Sequence, residues 1–319
     1  MSDYRIAESY QILKALTDTW KAISELNGYI KAIKSDFSNA ELNLLFICEA
    51  RSAMEIDGFN LAAIRVFEAN ASENKLNDST AQLIFEMANI GQNLKQVNAN
   101  ALSLNFPFVQ KSKRKKIQLP FLKKEINTYL DSNNAPDALL YMALLHGYIA
   151  LQKDELNYQV FLANTIFNHW MKEQALLEWP ILPLSFTIKN NMKRADELLQ
   201  DAFEADDLQG WVLFFLGMVQ SAAITAQKQL IEITTLKKIT KEMVLKYTLY
   251  PLPANALVSL LFEKPFIKAA DLMSTMNCHR QTAATYLKHL ESMGLLIEKK
   301  SGRERLYFHK RLFDVLIAS

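Results

Sequence analysis

ALVSLLFEKPFIKAADLMSTMNCHRQTAATYLKHLESMGLLIEKKSGRERLYFHKRL, residues 256–312, is the stretch with the most legible pattern of elements in this chain. Ala254–Phe262 reads as a short helix and Lys268–Met276 as a second, ending in a turn at Asn277-Cys278. Arg280–Met293 reads as a third, because Ala283, Ala284, Leu287 and Leu290 recur at helical spacing. Gly294 stops it, since glycine enters the left-handed region without cost. Two strands, Leu295–Lys299 and Arg305–His309, follow around Lys300-Ser301-Gly302-Arg303-Glu304, with a last helix at 310–317. Helix, helix, turn, helix and two-stranded hairpin is the order of a winged helix-turn-helix.

The face of the third helix opposite its apolar stripe carries Arg280, Gln281, Thr285, Lys288 and His289, with Thr282 in the first turn. These side chains can donate to phosphates and base edges, and the start of this helix is the part that reaches bases in helix-turn-helix proteins. The hairpin adds Lys299, Lys300, Arg303 and Arg305 against Glu298 and Glu304. From Leu261 to the end there are ten Lys/Arg and six Asp/Glu, a local +4, against −2 for the rest of a chain of net charge +2. This unit is expected to contact double-stranded DNA. Such modules also dock proteins or dimerise, and the modest charge leaves that reading open.

Upstream the chain is expected to be mainly α. Apolar residues recur at helical spacing over 7–32, 40–56, 77–97, 120–131, 135–151, 155–173 and 184–203, and a long helix runs from Leu208 to about Tyr247. Gly58 suits a helix C-cap. Tyr250-Pro251-Leu252-Pro253 ends the long helix, because proline cannot continue one. The domain boundary is placed there, giving domains 1–249 and 250–319. A basic cluster, Lys111 to Lys116, lies between two prolines and reads as a solvated loop or an anion-binding one.

The length allows a large core without staples, burying about three quarters of the unfolded surface. Cys48 and Cys278 read as free thiols of a cytoplasmic protein. No uninterrupted apolar run reaches membrane-spanning length, about 18 residues, so no membrane is expected. There is no P-loop, dinucleotide fingerprint, zinc spacing or Gly-x-Ser-x-Gly, and no metal is expected.

The order of segments resembles that of Fic-family proteins with a C-terminal winged helix. The resemblance is specific at Arg280-Gln281-Thr282-Ala283, at Leu290-Glu291-Ser292-Met293-Gly294-Leu295-Leu296, and at Gly302-Arg303-Glu304-Arg305-Leu306-Tyr307. The family usually has Ser where His279 stands. Glu49 to Gly58 is similar to the family's Glu-Ala-x-x-Ser-Ser-x-Ile-Glu-Gly segment. Ala143–Ile149 resembles the helix leading into the family motif, Leu177–Ser185 the stretch after it, and Trp211–Leu216 the start of the linker helix.

The resemblance implies AMP transfer by a motif HPFxxGNGRxxR, with a His base, a glycine nest for phosphates, an acidic residue for Mg²⁺ and two arginines. Aligned between its flanks, that motif falls on Lys153 to Asn164, where Lys153, Asp154, Glu155, Asn157, Gln159 and Phe161 stand in place of its chemistry. No glycine occurs between Gly147 and Gly210, so no shift of alignment builds the nest. His146 lies upstream and reads as a packing or capping residue. The family's inhibitory helix is likewise degraded, with Ala53 at its Ser position, Asp57 at its Glu position and Gly58 retained. Only Asn105 to Glu125 bridges the region of the family's target-clamping flap.

The expected protein is therefore a non-catalytic Fic-like regulator, not an enzyme, binding neither ATP nor Mg²⁺ and contacting DNA through its winged helix. A protein partner at the helical domain and a homodimer are compatible with it. The alternatives are an enzyme with rearranged residues, Lys153 and Asp154 first among them, and an antitoxin-like docking subunit.

Overall fold

Helix ends in this protein are set by short-range chemistry. α1 (Tyr10–Ile33) starts where the Ser9 hydroxyl accepts from the Ile12 amide. α2 (Asn39–Ile56) starts in a reciprocal capping box between Ser38 and Glu41. It ends at Gly58, φ +84°, where the Gly58 and Phe59 amides bond back to the Glu55 and Met54 carbonyls. That is a Schellman closure. The computed structural model describes residues 9–71, 79–93, 137–150, 158–204, 207–247, 253–301 and 304–318. The basic cluster 111–116, the 105–125 bridge, the expected helix 120–131, and Lys153, Asp154, Glu155, Asn157 and Arg303 lie outside the described residues.

The chain is mainly helical, as expected. After α2 come α3 (Ala63–Ala71), α4 (Ser79–Asn93), α5 (Ala138–Ala150), α6 (Gln159–Glu173), α7 (Leu184–Lys189), α8 (Met192–Glu204) and α9 (Leu208–Tyr247). The terminal unit is α10 (Ala254–Glu263), β1 (Phe266–Ile267), α11 (Ala269–Met276), α12 (Arg280–Ser292), β2 (Ile297–Ser301), β3 (Glu304–Phe308) and α13 (Lys310–Ile317).

The structure departs from the expected elements in several places. The helix expected over 184–203 is two helices, because Asn190 and Asn191 turn their side-chain amides back to the Phe186 and Thr187 carbonyls and compete with the helix ladder. α3 was not foreseen. The first hairpin strand begins at Ile297 and not at Leu295, because the Leu295 and Leu296 amides both close α12 on the Leu290 carbonyl around Gly294, φ +72°.

The long helix α9 organises the body. α1, α5, α7 and α8 pack along it, α2 packs on α4 and α7, and α5 packs on α6. Trp211, Phe215, Leu216, Val219, Ala222 and Ala223 are fully or almost fully buried. By length and composition Leu208–Lys246 passes for a membrane span, but half of that window is buried inside the protein. It serves as a core helix here. The partly buried Lys237 of α9 bonds the buried Glu41 of α2 at 2.7 Å and Asp36 O at 2.7 Å.

The terminal unit holds a three-stranded antiparallel sheet in the order β1-β3-β2. Ser301 pairs with Glu304, so β2 runs two residues and β3 one residue closer to the tip than expected. The unit is seated on the body by α13. Phe313 meets Phe67 edge-on at 6.0 Å, the Cys48 thiol donates to Leu316 O at 3.1 Å, and Gln229 Nε2 donates to Val315 O at 3.3 Å. His309 caps α13 through Nδ1, and its Nε2 meets the Thr240 hydroxyl of α9 at 3.1 Å.

Candidate functional sites

Two regions gather the residues singled out from the sequence. The first is the start of α6. Tyr158 is its N-cap, with φ +62° and ψ +31°, a left-handed conformation that suits glycine and strains tyrosine. Gln159, Val160 and Phe161 behind it are buried. The Tyr158 ring leans on Phe59, centroids 6.3 Å apart. Burial, with the nearby Asp57 charge, raises the Tyr158 hydroxyl pKa, and burial alone pushes the Asp57 carboxyl up to about 6. The turn Asp57-Gly58 thus sits beside the start of α6, so the two segments in which the resemblance implies a lost inhibitory helix and a lost motif adjoin at Tyr158. Ala53 is buried on α2. Two residues on, Glu55 is held by Arg51 and by Lys189 at 2.6 Å.

Behind this lies a polar network that the sequence reading did not find. Glu49 accepts from the Ser185 amide at 2.9 and 3.1 Å, near the start of α7, and from Asn164 Nδ2 at 3.3 Å. Asn164 Nδ2 also donates to the Ser185 hydroxyl at 2.8 Å, and its Oδ1 meets His146 Nε2 at 2.7 Å. That last contact places the imidazole proton on Nε2. Nδ1 has no hydrogen-bond partner, so a second proton there would be buried without an acceptor. Burial accordingly lowers the His146 pKa to about 4. Burial also lifts the Glu49 carboxyl to about 7 in spite of its hydrogen bonds. His146 is a packing residue, its ring against Trp211 at 6.1 Å and Phe215 at 5.2 Å. Among the described residues, two voids of about 20 Å³ touch Glu49, each room for a single water. The network was not legible because its members come from four helices with no shared spacing.

The second region is α12 and the hairpin. Arg280, Gln281, Thr282, Thr285 and Lys288 are exposed along α12, and His289 is half-buried. Thr285 returns its hydroxyl proton to Gln281 O at 2.9 Å. The α12 N-cap, His279, makes no side-chain cap bond, which leaves the first amides of the helix without a capping side chain. Beside this face is a cleft of about 680 Å³ lined by Lys268, Arg280, Lys288, Glu304, Arg305 and Tyr307, among others. Lys268 lies 3.4 Å from Glu304, and Arg305 lies 3.5 Å from Glu298.

Strand parity divides the expected cationic tip. Lys300 pairs with Arg305 across the hairpin, and Lys299 pairs with Leu306, so Lys299 points to the other face. There it bonds Glu68 of α3 at 2.5 Å. The structure brings Arg280, Lys288 and Arg305 around one cleft, with Lys300 on the same hairpin face as Arg305. It takes Lys299 away from that group.

Residues 236–312 match the family model described as "Protein adenylyltransferase SoFic-like, C-terminal domain". The match begins inside α9 and covers all of α10 to β3. A solved structure, a Fic family protein from Desulfovibrio desulfuricans G20, superposes with a TM-score of 0.49 at 14% identity, covering 95% of this chain and 97% of that one. Over residues 236–312, and not beyond them, this chain is similar to the C-terminal domain of SoFic-like protein adenylyltransferases.

Proposed function

We propose that this chain is a non-catalytic Fic-like regulator that binds double-stranded DNA through a winged helix formed by residues 250–319, with residues 1–249 as a Fic-like helical domain. The observation that carries the DNA reading is the exposed face of α12 beside a cleft bordered by Lys268, Arg280, Lys288 and Arg305. An α-helix fits the major groove. Entering N-terminus first, α12 presents Arg280, Gln281 and Thr282 to base edges, and its uncapped amides suit a phosphate. Lys288, Lys300 and Arg305 are placed for backbone phosphates, which carry affinity and not sequence.

The non-catalytic reading draws on the start of α6. Phosphates need bare amides at a helix start, approached closely. Tyr158 holds the left-handed position with a bulky ring, and Gln159, Val160 and Phe161 are buried in the first turn with no cation among them. These residues do not fit a nucleoside triphosphate with Mg²⁺. The protein is read as cytoplasmic, with its helical domain free to dock a protein partner or a second copy.

Fluorescence anisotropy with a mixed-sequence duplex tests the DNA reading. Binding is expected to weaken as salt rises, and Arg280→Ala and Lys300→Ala should each weaken it, the latter with a salt slope shallower by about 0.9. No binding at 50 mM KCl, roughly the low-salt end at which phosphate contacts are strongest, would sink it. Calorimetry with millimolar ATP and Mg²⁺ tests the second half; a saturable heat would restore the enzyme reading.

A further inference from the structure

The hairpin is gripped from the face opposite Lys300 and Arg305. Glu68, on α3, accepts from Lys299 Nζ at 2.5 Å and also bonds the Ser301 side chain. Lys299 and Ser301 are alternate residues of β2, so both lie on one face of the strand, next to its tip. α3 also packs against β1, the opposite edge of the same sheet. Burial acts to raise the Glu68 pKa, yet the bonds from Lys299 and Ser301 outweigh it and hold the carboxyl below its ordinary value.

Besides the packing of α10 on α9 and α2, the contacts that join the terminal unit to the body are of two kinds. Those of α13 are buried, through Phe313 on Phe67 and through Cys48, Gln229 and Thr240, and they fix the seat of the unit. The Glu68 grip is polar and lies at the rim, where the Lys299 side chain keeps 30% of its exposure. Glu68 itself is buried, its side chain 12% exposed, so the pair is open to solvent on the lysine side, where another anion can compete for the ammonium. A phosphate oxygen, like a carboxylate oxygen, accepts a charge-assisted hydrogen bond from an ammonium, and strand β2 already carries Lys300 on its other face.

We propose that Glu68 is an intramolecular competitor for nucleic-acid phosphate, holding Lys299 and the outer hairpin strand against α3 and so setting the DNA affinity of the terminal unit from within the helical body. This rests on the DNA-binding reading above. The body thereby regulates the reader through one carboxylate, and anything that moves α3 changes how many hairpin cations are available.

The test uses the full chain and its Glu68→Gln, Lys299→Gln and doubly substituted variants, with duplex affinity measured by anisotropy across a salt series. Glu68→Gln should bind about fivefold tighter or better, the lower end of ordinary coupling between sites, with a salt slope steeper by about 0.9, one added phosphate contact. Lys299→Gln alone should bind as the unmodified protein does, and in the Glu68→Gln background it should abolish the gain. An unchanged affinity in Glu68→Gln overturns the competitor role while leaving DNA binding in place. Weakening by Lys299→Gln alone, to the extent produced by Lys300→Ala, also overturns it, and this arm decides the matter if Glu68→Gln does not fold. Failure of the unmodified chain to bind any duplex at low salt strikes the DNA reading first and the competitor with it.

Discussion

Replacing Gly147 with alanine should destabilise this protein, although the same change in a helix ordinarily helps. Gly147 lies inside α5, where α5 packs on α9. A Cβ built there would sit 2.8 Å from Trp211 Nε1, 3.0 Å from Trp211 Cε2 and 3.0 Å from Leu199 Cδ2. The indole cannot give way cheaply. It is 1% exposed, is bounded by the His146, Phe214 and Phe215 rings, and donates to Ala143 O at 2.7 Å. Helix propensity favours alanine by about 1 kcal/mol. Overpacking costs about 1–3 kcal/mol, and a buried indole N–H torn from its acceptor about 1–3 kcal/mol more. The balance is a loss of about 1–5 kcal/mol. Gly28 is the control. It lies inside α1, is exposed, and nothing stands within 4 Å of its Cβ position. Gly28→Ala should therefore gain up to about 1 kcal/mol. Equilibrium urea unfolding followed by circular dichroism reads both. A Gly147→Ala protein as stable as the unmodified one, or more so, would refute the close packing of α5 on α9.

Two pH predictions follow from the buried groups. The Glu49 carboxyl is lifted from its ordinary 4.5 to about 7, so its contribution to stability is complete below pH 4.5 and is lost as pH rises through 7. Over that window Glu49→Gln should gain on the unmodified protein by up to about 3 kcal/mol, at about 1.4 kcal/mol per pH unit; parallel unfolding midpoints from pH 4.5 to 7.5 would contradict it. His146, His169 and His309 act in the opposite sense. Burial lowers each from 6.5 to about 4, so their contribution is present above pH 6.5 and is lost as pH falls towards 4. In Glu49→Gln, where the opposing carboxyl is gone, the loss of stability on acidification through this range should be steeper than in the unmodified chain, and thermal melts at half-unit pH steps would show it.

Much of the helical pattern was legible because its signals are local. Gly58 and Gly294 end their helices in the sequence as in the structure, since a C-cap depends only on the six residues around it. The run from Leu208 to Tyr247 is helical throughout because proline is absent from it and its apolar periodicity is unbroken. α3 and β1 were missed. β1 has two residues, too few for any period to register. β1 exists because β3 is there to pair with Phe266 and Ile267.

What the tertiary structure alone decided is which charges work together. Lys299, Lys300 and Arg305 look alike along the chain. The pleat sends Lys299 and Lys300 to opposite faces, and only the arrival of α3 from more than two hundred residues away turns that geometric difference into a chemical one, by giving Lys299 a carboxylate. Glu49, Asn164, Ser185 and His146 form a network for the same reason: each is an ordinary polar residue on its own helix, and burial of Asn164, Ser185 and His146, with Glu49 half-buried against them, obliges them to satisfy one another. The sequence determines the helices and their ends through short-range bonding. Long-range packing determines which polar groups meet, because desolvation is a property of the assembled core and not of any segment in it.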